Sequence, residues 1–202
     1  MSYRKEKKYR VTRAEYQQLK NAWLSSGMVP LHNTRQVSSI YFDNNEYGMY
    51  HHSEEGVLPR KKIRIRWYND NQEFALEKKI SSIEGRFKTS AILGNINCID
   101  TALKQRPIDQ HYGVLLPSLI VSYERTYFSM NGMRITFDAD IKYQNLRQNN
   151  MLIQKDPEQV IEIKVPIEIS DNFIEKIVPH PTARFSKYCR GLLISERQLS
   201  EV

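Results

Sequence analysis

The chain has 202 residues, enough for a single domain (1–202) with a sizeable core, and its formal net charge of +7 suits an anionic partner such as a nucleotide, polyphosphate or nucleic acid. Its two cysteines, Cys98 and Cys189, have no CxxC spacing, which argues against a disulfide scaffold, and residues 1–6 lack the apolar segment of a signal peptide. No run is long enough to cross a bilayer, so we expect a cytoplasmic protein, or one attached to a membrane only through a protein partner.

Alternation of apolar and polar residues predicts β-strands along most of the chain. They span residues 4–11, 37–42, 61–68, 73–80, 86–88, 119–129, 133–138 and 159–166. The Asn131-Gly132 pair is the strongest hairpin signal, because both residues tolerate the positive φ of a tight turn. Residues 45–59, with one helical turn, and residues 144–150 are polar and are predicted to be loops.

The clearest predicted helix follows Thr12. Thr12 and Glu15 match a capping box, in which each side chain accepts a hydrogen bond from the backbone amide of the other residue. An apolar stripe that includes Tyr16 and Trp23 then continues to Gly27. Further helices are predicted over residues 92–104, 170–177 and 185–197.

The strand over residues 61–68 carries the most informative pattern. Arg64 and Arg66 share one face, while Ile63, Ile65 and Trp67 share the other. Two neighbouring guanidinium groups repel each other, so they add nothing to an ordinary core strand. A phosphate group would favour them, because guanidinium N–H forks match phosphate oxygens.

Other predicted strands also combine a charged face with an apolar face. Their charged faces carry Glu6 and Lys8, Glu77 and Lys79, Tyr123 and Arg125, Arg134 and Asp138, and Glu162 and Lys164. In an ordinary antiparallel sheet the apolar face packs on the core and the charged face meets water. The frequent pairing of basic residues with single carboxylates favours a second arrangement, in which the charged faces line an enclosed space.

That second arrangement is an α+β fold with a closed antiparallel β-barrel of about eight strands, since such a barrel can hold one small ligand. The charged faces would form a cationic tunnel, and the helices would pack on the apolar outside. A cationic, low-dielectric tunnel concentrates its field on an anionic substrate. Its carboxylates are suited to a hard cation such as Mg²⁺ or Mn²⁺.

The chain resembles the VTC-type polyphosphate polymerase domain, within the triphosphate tunnel metalloenzyme (CYTH-like) superfamily. The resemblance rests on short motifs that follow the family's order over nearly the whole chain. They are Glu6-Lys7-Lys8-Tyr9, Ser39-Ile40-Tyr41-Phe42-Asp43, Lys62-Ile63-Arg64-Ile65-Arg66, Leu76-Glu77-Lys78-Lys79, Tyr123-Glu124-Arg125, Arg134-Ile135-Thr136-Phe137-Asp138, Ile161-Glu162-Ile163-Lys164 and Arg184-Phe185-Ser186-Lys187-Tyr188. Each motif is weak alone, and their ordered combination is specific.

The resemblance implies a set of basic and polar residues that bind a triphosphate or polyphosphate chain, and one metal ligand. The implied substrate-binding residues are Lys8, Arg64, Arg66, Lys79, Arg86, Tyr123, Arg125, Arg134, Lys164, Arg184, Ser186 and Lys187. Arg64, Arg66, Lys79, Arg125 and Arg134 would act in catalysis, and Glu162 would hold Mn²⁺ or Mg²⁺. The family's basic residue after the Lys79 strand matches either Arg86 or Lys88, since Glu84 occupies a position where Lys is usual. Arg184 replaces a lysine of the family and keeps its charge.

The resemblance further implies phosphoryl transfer, with polyphosphate synthesis from ATP as the first expectation. A site of the same kind acts as a triphosphatase if water is the acceptor, and Glu6 or Glu77 would then orient that water. A polyphosphate-binding module without turnover is a third possibility, although a carboxylate such as Glu162 is not needed for it. Nucleic-acid binding is not expected, because the basic residues alternate along strands and do not form an open patch.

Overall fold

The structure, a computed structural model, describes residues 4–69, 71, 73–148 and 152–197. Its strands are β1 (Arg4–Val11), β2 (Val29–Asp43), β3 (Arg60–Tyr68), β4 (Ala75–Ser82), β5 (Gly85–Ile92), β6 (Ile108–Asp109), β7 (Gly113–Val114), β8 (Leu116–Met130), β9 (Met133–Asn145), β10 (Ile153–Lys155) and β11 (Gln159–Pro166). Its helices are α1 (Arg13–Ser25), α2 (Gly48–Glu55), α3 (Ile99–Leu103), α4 (Asp171–Ile177) and α5 (Lys187–Arg197). The fold is α+β, as predicted. Within the described ranges, none of these helices combines the length and apolar character needed to cross a membrane.

Two regions differ from the sequence-based prediction for identifiable reasons. The helix predicted over residues 92–104 is wrong in its first half, because β5 runs to Ile92 and the amide of Leu93 donates a 2.8 Å hydrogen bond to the carbonyl of Phe74. The predicted loop 45–59 contains α2, and the amides of its first turn are capped by a residue that lies five positions before the helix. The Asp43 carboxylate accepts hydrogen bonds of 2.9 Å from the amides of Met49 and Tyr50. A cap that lies several residues before the helix escapes a local search for capping boxes.

The described chain divides into two compact units. The first unit comprises residues 1–35, 123–141 and 156–185, and its strands pair antiparallel in the order β1-β11-β9. One face of this sheet is apolar and packs against α1, where the rings of Tyr16 and Trp23 lie edge-on to Phe137 with centroids at 5.2 and 5.6 Å. The predicted capping box is confirmed: the Thr12 amide donates to the Glu15 carboxylate at 2.7 Å, and the Glu15 amide donates to the Thr12 hydroxyl at 3.2 Å.

The second unit comprises residues 36–122, 142–155 and 186–202 and contains the antiparallel ladder β2-β3-β4-β5. The apolar face of β3, with Ile63 and Ile65 fully buried, packs in a core with Met49 of α2. Helix α5 approaches the sheet closely at Gly191, where an added Cβ would lie 2.4 Å from the ring of Tyr143. The burial of Ile63 and Ile65 on one face of β3 confirms the alternation of apolar and polar faces predicted for this strand.

The predicted closure of the sheet into a barrel is wrong. Among the described strands, β1 is hydrogen-bonded only to β11 and β5 only to β4, so the ladder has two ends. Strand β5 has the character of an edge: it is exposed from Arg86 to Ile92, and it carries Arg86 and Lys88. Charged residues on an edge strand disfavour further pairing. Because the ladder of described strands does not close, this pairing does not form an enclosed tunnel.

Candidate functional site

The polar face of the first unit is centred on Glu162. This carboxylate is 8% exposed, and it lies between two lysines: Nζ of Lys164 is 2.8 Å from Oε1, and Nζ of Lys8 is 4.0 Å from Oε2. The register explains the cluster, since Lys8 is paired across the strands with Glu162, and Glu6 with Lys164. Glu6 in turn lies 3.2 Å from Nζ of Lys8. Sequence-predicted residues from β1 and β11 are therefore brought together here.

The charge state of Glu162 follows from this environment. Burial alone would raise the pKa of its carboxyl group, but the positive charges of Lys164, Lys8 and Arg125 outweigh burial and hold that pKa well below its usual range. Glu162 is consequently ionised at neutral pH. An ionised carboxylate on a basic face is the form that a divalent cation requires.

Arg125 is held in place by a buried carboxylate. Its Nε and Nη2 donate to the two oxygens of Asp138 at 2.6 and 2.7 Å, and Asp138 is fully buried. Burial would lower the pKa of Arg125, but Asp138 raises it well above the ordinary value. The guanidinium also lies 5.2 Å from the ring centroid of Tyr123, whose side chain is buried. A forked pair of this kind fixes the guanidinium plane and leaves further N–H groups to donate to another anion.

Two other predicted residues of this unit are exposed. Arg134 lies on the same face of β9 as Thr136, and its guanidinium carbon is 5.7 Å from the ring centroid of Tyr127. Arg184 lies in the segment before α5, next to Ala183, whose amide donates a 2.8 Å hydrogen bond to the carbonyl of Lys8. This bond ties the Arg184 segment to strand β1.

The second unit has its own polar face, centred on Glu77. Nε of Arg64 donates to Glu77 at 2.7 Å, and Nη1 of Arg64 donates to the Tyr41 hydroxyl at 2.7 Å. Nε of Arg66 donates to the Ser39 hydroxyl at 3.0 Å, and its Nη1 is 3.9 Å from Glu77. Arg64 and Arg66 therefore share one face, as predicted, and a carboxylate lies between them.

The electrostatics of this face alter the titration of two groups. Burial would raise the pKa of Glu77, but Arg64, Arg66 and Lys88 lower it to about 2. Burial would likewise raise the pKa of Tyr41, but Arg64 and Arg66 together lower it to about 8. The guanidinium groups that lower the pKa of Tyr41 also favour a bound anion on this face.

The register of β4 and β5 bears on the choice between Arg86 and Lys88. Both side chains lie on the polar face, because Arg86 is paired with Ser81 and Lys88 with Lys79. Nζ of Lys88 is 2.6 Å from the Glu77 carboxylate, so it belongs to the cluster around that residue. Arg86 lies at the start of β5, two cross-strand pairs further from Glu77. This arrangement favours Lys88 as the partner of Lys79.

Lys62 also belongs to this face, although it was not among the expected site residues. Its Nζ donates a 2.8 Å hydrogen bond to the Ser186 hydroxyl, and the same hydroxyl accepts a 3.4 Å hydrogen bond from the amide of Cys189 in the first turn of α5. Lys187, half-buried, is the first residue of α5. Lys62 is two residues before Arg64 on the same face of β3, and this spacing could have identified it. Ser39 and Tyr41 belong to one of the motifs of the resemblance but were not among the expected site residues; their contacts with Arg66 and Arg64 place them on this face.

The carboxylates on the polar face of the first unit, here called the first polar face, are suitable ligands for a divalent metal. Mg²⁺ and Mn²⁺ are commonly bound by one or two carboxylates, with remaining ligands from water and substrate phosphates. Glu162 and Glu6 supply carboxylate oxygens on neighbouring strands, and Glu162 is ionised. The described part of the chain contains no group of three or more His, Cys, Asp or Glu side chains placed to hold a metal ion. Phosphate oxygens of a substrate would therefore have to complete the coordination.

Comparison with known proteins gives one family and several similar folds. The family model of the VTC domain matches residues 3–195. The PH1012 protein of Pyrococcus horikoshii OT3 is similar in structure, with a TM-score of 0.57, 10% identity, and coverage of 92% of this chain and 97% of that chain. HpAC1 of Hippeastrum, an adenylyl cyclase candidate described as having a dominant triphosphatase activity, has a TM-score of 0.51, 15% identity, and coverage of 91% and 92%.

An adenylate cyclase candidate of Vibrio parahaemolyticus has a TM-score of 0.50 and 14% identity, and the match covers 88% of this chain and 86% of that chain. Identities this low establish a shared fold and nothing further. No curated protein matches the sequence.

Proposed function

The chain belongs to the VTC domain family, and we propose that it catalyses metal-dependent phosphoryl transfer on a bound triphosphate or polyphosphate, with polyphosphate synthesis from ATP as its reaction. The observation that carries this proposal is the ionised, buried Glu162 between Lys164 and Lys8. A surface that only binds anions gains nothing from a carboxylate at that position. A site that binds a phosphate chain together with a cation requires one.

The chain's own residues neutralise and orient phosphate oxygens. In the reaction, the terminal oxygen of a polyphosphate chain forms a bond to the γ-phosphorus of ATP, and the bond from that phosphorus to the β-γ bridging oxygen breaks, which releases ADP. Phosphoryl transfer depends mainly on positioning and charge stabilisation. Arg125, fixed by Asp138, presents a guanidinium in a defined orientation, and Lys8 and Lys164 supply ammonium groups on either side of Glu162. When bound at Glu162, Mn²⁺ or Mg²⁺ supplies additional charge neutralisation at the phosphates.

The polar face of the second unit binds phosphate through other groups. Arg64 and Arg66 donate to phosphate oxygens, and Lys79 and Lys88 add positive charge next to Glu77. Ser186 and the Nζ of Lys62 lie at the N-terminus of α5, where the helix dipole favours an anion. Lys187 belongs to the same helix terminus.

A triphosphatase is the second candidate, because the fold also occurs in HpAC1, whose described activity is of that kind. With water as acceptor, a face like this one would release phosphate without building a chain. Glu6 and Glu77 are the carboxylates placed to orient that water on the first and second polar face, respectively. The third candidate is a module that binds polyphosphate without turnover.

The test is incubation with Mn²⁺ and ATP, and separately with tripolyphosphate, while free phosphate and long-chain polyphosphate are measured in parallel. Growth of long chains supports the polymerase, and release of phosphate alone supports the triphosphatase. Glu162→Ala is expected to abolish turnover while polyphosphate binding persists. Glu158→Ala is the matched control, because Glu158 precedes the same strand and forms an ion pair with Arg10 instead. Normal turnover by the Glu162→Ala protein would contradict the assignment of the metal to Glu162.

A further inference from the structure

A cluster of side chains around Tyr127 in the first unit belongs to none of the motifs that carried the family resemblance, apart from Arg134. The guanidinium carbon of Arg35 lies 5.8 Å from the ring centroid of Tyr127, and that of Arg134 lies 5.7 Å from the same centroid. The His32 ring meets Tyr127 edge-on, with centroids 5.5 Å apart. Tyr127 is 5% exposed, whereas Arg35, Arg134 and His32 are exposed. A buried ring thus carries two cationic groups that solvent and ligands can reach.

The cluster lies on the polar face of the first unit. Tyr127 is two residues from Arg125 on β8, so both side chains point to the same face of that strand. Arg134 shares a face of β9 with Thr136, which is paired with Glu162 on β11. The basic groups at Tyr127 therefore continue the face that carries the proposed metal ligand.

Two guanidinium groups against one ring suit a polyanion. Each gains a cation–π contact with Tyr127, which fixes its position, while like charges that approach the same ring repel each other. A phosphate chain relieves that repulsion, because its oxygens accept hydrogen bonds from several guanidinium groups at once. Arginine is also better suited than lysine to this combination of stacking and forked donation.

The cationic groups follow each other across the sheet from Glu162 outward. Lys164, whose Nζ contacts Glu162, is paired across the strands with Arg134, and Arg134 lies against Tyr127. Arg35 follows on β2, which neighbours β8. From β11 to β2 there are three strand spacings, about 14 Å in total. Arg35 therefore lies at the outer end of this row of basic groups, where the distal part of a long chain seated at Glu162 would extend.

Resting on the proposed function, we infer that Arg35 and Arg134, with Tyr127 between them, form an additional phosphate subsite that binds the distal part of a long polyphosphate chain. Arg35 is thus a residue that determines preference for chain length. It contacts long-chain polyphosphate and does not contact tripolyphosphate. Arg134 serves both the subsite and the inner part of the polar face.

The test compares the affinities of the full chain for long-chain polyphosphate and for tripolyphosphate, measured by titration calorimetry at one fixed salt concentration. Arg35→Ala is expected to weaken binding of the long chain about tenfold, since one charge-assisted hydrogen bond is worth about that factor. Its affinity for tripolyphosphate is expected to stay at the wild-type value. Arg35→Lys keeps the charge but loses the planar fork. Its affinity for the long chain is expected to lie between those of the wild type and of Arg35→Ala. Arg13→Ala is the matched control, because Arg13 is an exposed arginine of the same unit at the start of α1.

The outcomes separate this inference from the proposed function. If the Arg35→Ala protein binds long chains as tightly as the wild type does, or loses equal affinity for both ligands, the distal subsite is refuted while the proposed function stands. If the wild-type protein binds neither ligand, both are refuted. Thermal unfolding of each variant shows whether a loss of affinity comes from a loss of folding. His32→Ala provides a second folded-state check, since it changes the contact with Tyr127 without removing either guanidinium.

Discussion

Lys62 donates a 2.8 Å hydrogen bond from its Nζ to the hydroxyl of Ser186, which precedes helix α5. The pair joins a strand lysine on the second polar face to a helix N-terminus within the same unit. Each component alone attracts anions, and together they place an ammonium group, a hydroxyl and the positive end of a helix dipole near one another.

Replacement of Lys62 with alanine is expected to weaken tripolyphosphate binding about tenfold, because it removes one charge-assisted contact. The matched control is Lys61→Ala. Lys61 is the neighbouring residue on the opposite face of β3, where it pairs with Asp109 at 2.9 Å. Calorimetric titration of both variants is the measurement. Equal losses of affinity in the two variants would show that only net charge matters and would contradict the placement of Lys62.

Replacement of Asp138 with asparagine is expected to lower the free energy of unfolding by about 3 kcal/mol, because it leaves the mostly buried Arg125 without its charged partner. Asp140→Asn is the control, since Asp140 is exposed on the same strand and asparagine tolerates its positive φ of 48°. Urea unfolding at neutral pH measures both variants. A change of less than about 0.5 kcal/mol for Asp138→Asn, the range of ordinary surface substitutions, would mean that the fork with Arg125 does not stabilise the unit.

Glu77 gives a prediction for acidic pH. Its pKa in the folded protein is lowered to about 2 from an ordinary value of 4.5, chiefly by Arg64 and Arg66 against the effect of burial. A carboxyl group with a lowered folded-state pKa stabilises the protein above its unfolded-state pKa and loses that contribution as the pH falls through the folded-state value. The stability difference between wild type and Glu77→Gln is therefore expected to be full above about pH 4.5 and to shrink towards pH 2.

Denaturant unfolding over a series of pH values measures this difference, with Glu73→Gln as a control at an exposed position two residues before β4. A constant difference between wild type and Glu77→Gln from pH 6 down to about pH 2 would contradict the assigned ion pairs. The same substitution also removes a negative charge from the polar face. Tighter binding of tripolyphosphate at neutral pH is the accompanying expectation.

Tyr41 offers a spectroscopic signal of the potential on the second polar face. Despite burial, Arg64 and Arg66 lower its pKa to about 8, so Tyr41 is expected to ionise below the ordinary pKa of a tyrosine, about 10. The titration can be followed by the near-ultraviolet absorbance of the phenolate. The step near pH 8 is expected to be absent from Tyr41→Phe. It is expected to remain in Tyr112→Phe, because burial raises the pKa of Tyr112. Bound tripolyphosphate is expected to raise the pKa of Tyr41, because it neutralises the guanidinium groups. A titration that does not respond to tripolyphosphate would indicate that the anion binds elsewhere.

The sequence allowed the polar faces to be predicted because strand periodicity is strictly two. Arg64 and Arg66, or Glu162 and Lys164, share a face wherever the segment is a strand, whatever the rest of the fold does. The capping box at Thr12 was also predictable, because both partners lie within four residues. Local patterns of this kind do not depend on tertiary structure.

Features that depend on register could not be predicted. The contact of Glu77 with Lys88 is set by the residues that face each other across β4 and β5, where the sequence carries no turn signal as clear as Asn131-Gly132. Closure of the sheet was predicted from the choice of charged residues, but pairing at an edge is decided by the backbone and by exposed charges such as Lys88. Arg35 carried no signal in the sequence, because its importance arises only from its contact with Tyr127.

The central claim is that the polar faces of these strands bind phosphate chains, and Arg66 tests it most directly because it is a largely buried arginine on such a face. The measurement is calorimetric titration of tripolyphosphate into the wild-type and Arg66→Ala proteins, with Arg13→Ala as control. Wild type and Arg13→Ala are expected to bind with equal, salt-dependent affinity, and Arg66→Ala to bind at least about tenfold more weakly. Equal affinity of Arg66→Ala and wild type, with Arg66→Ala still folded, would contradict the claim.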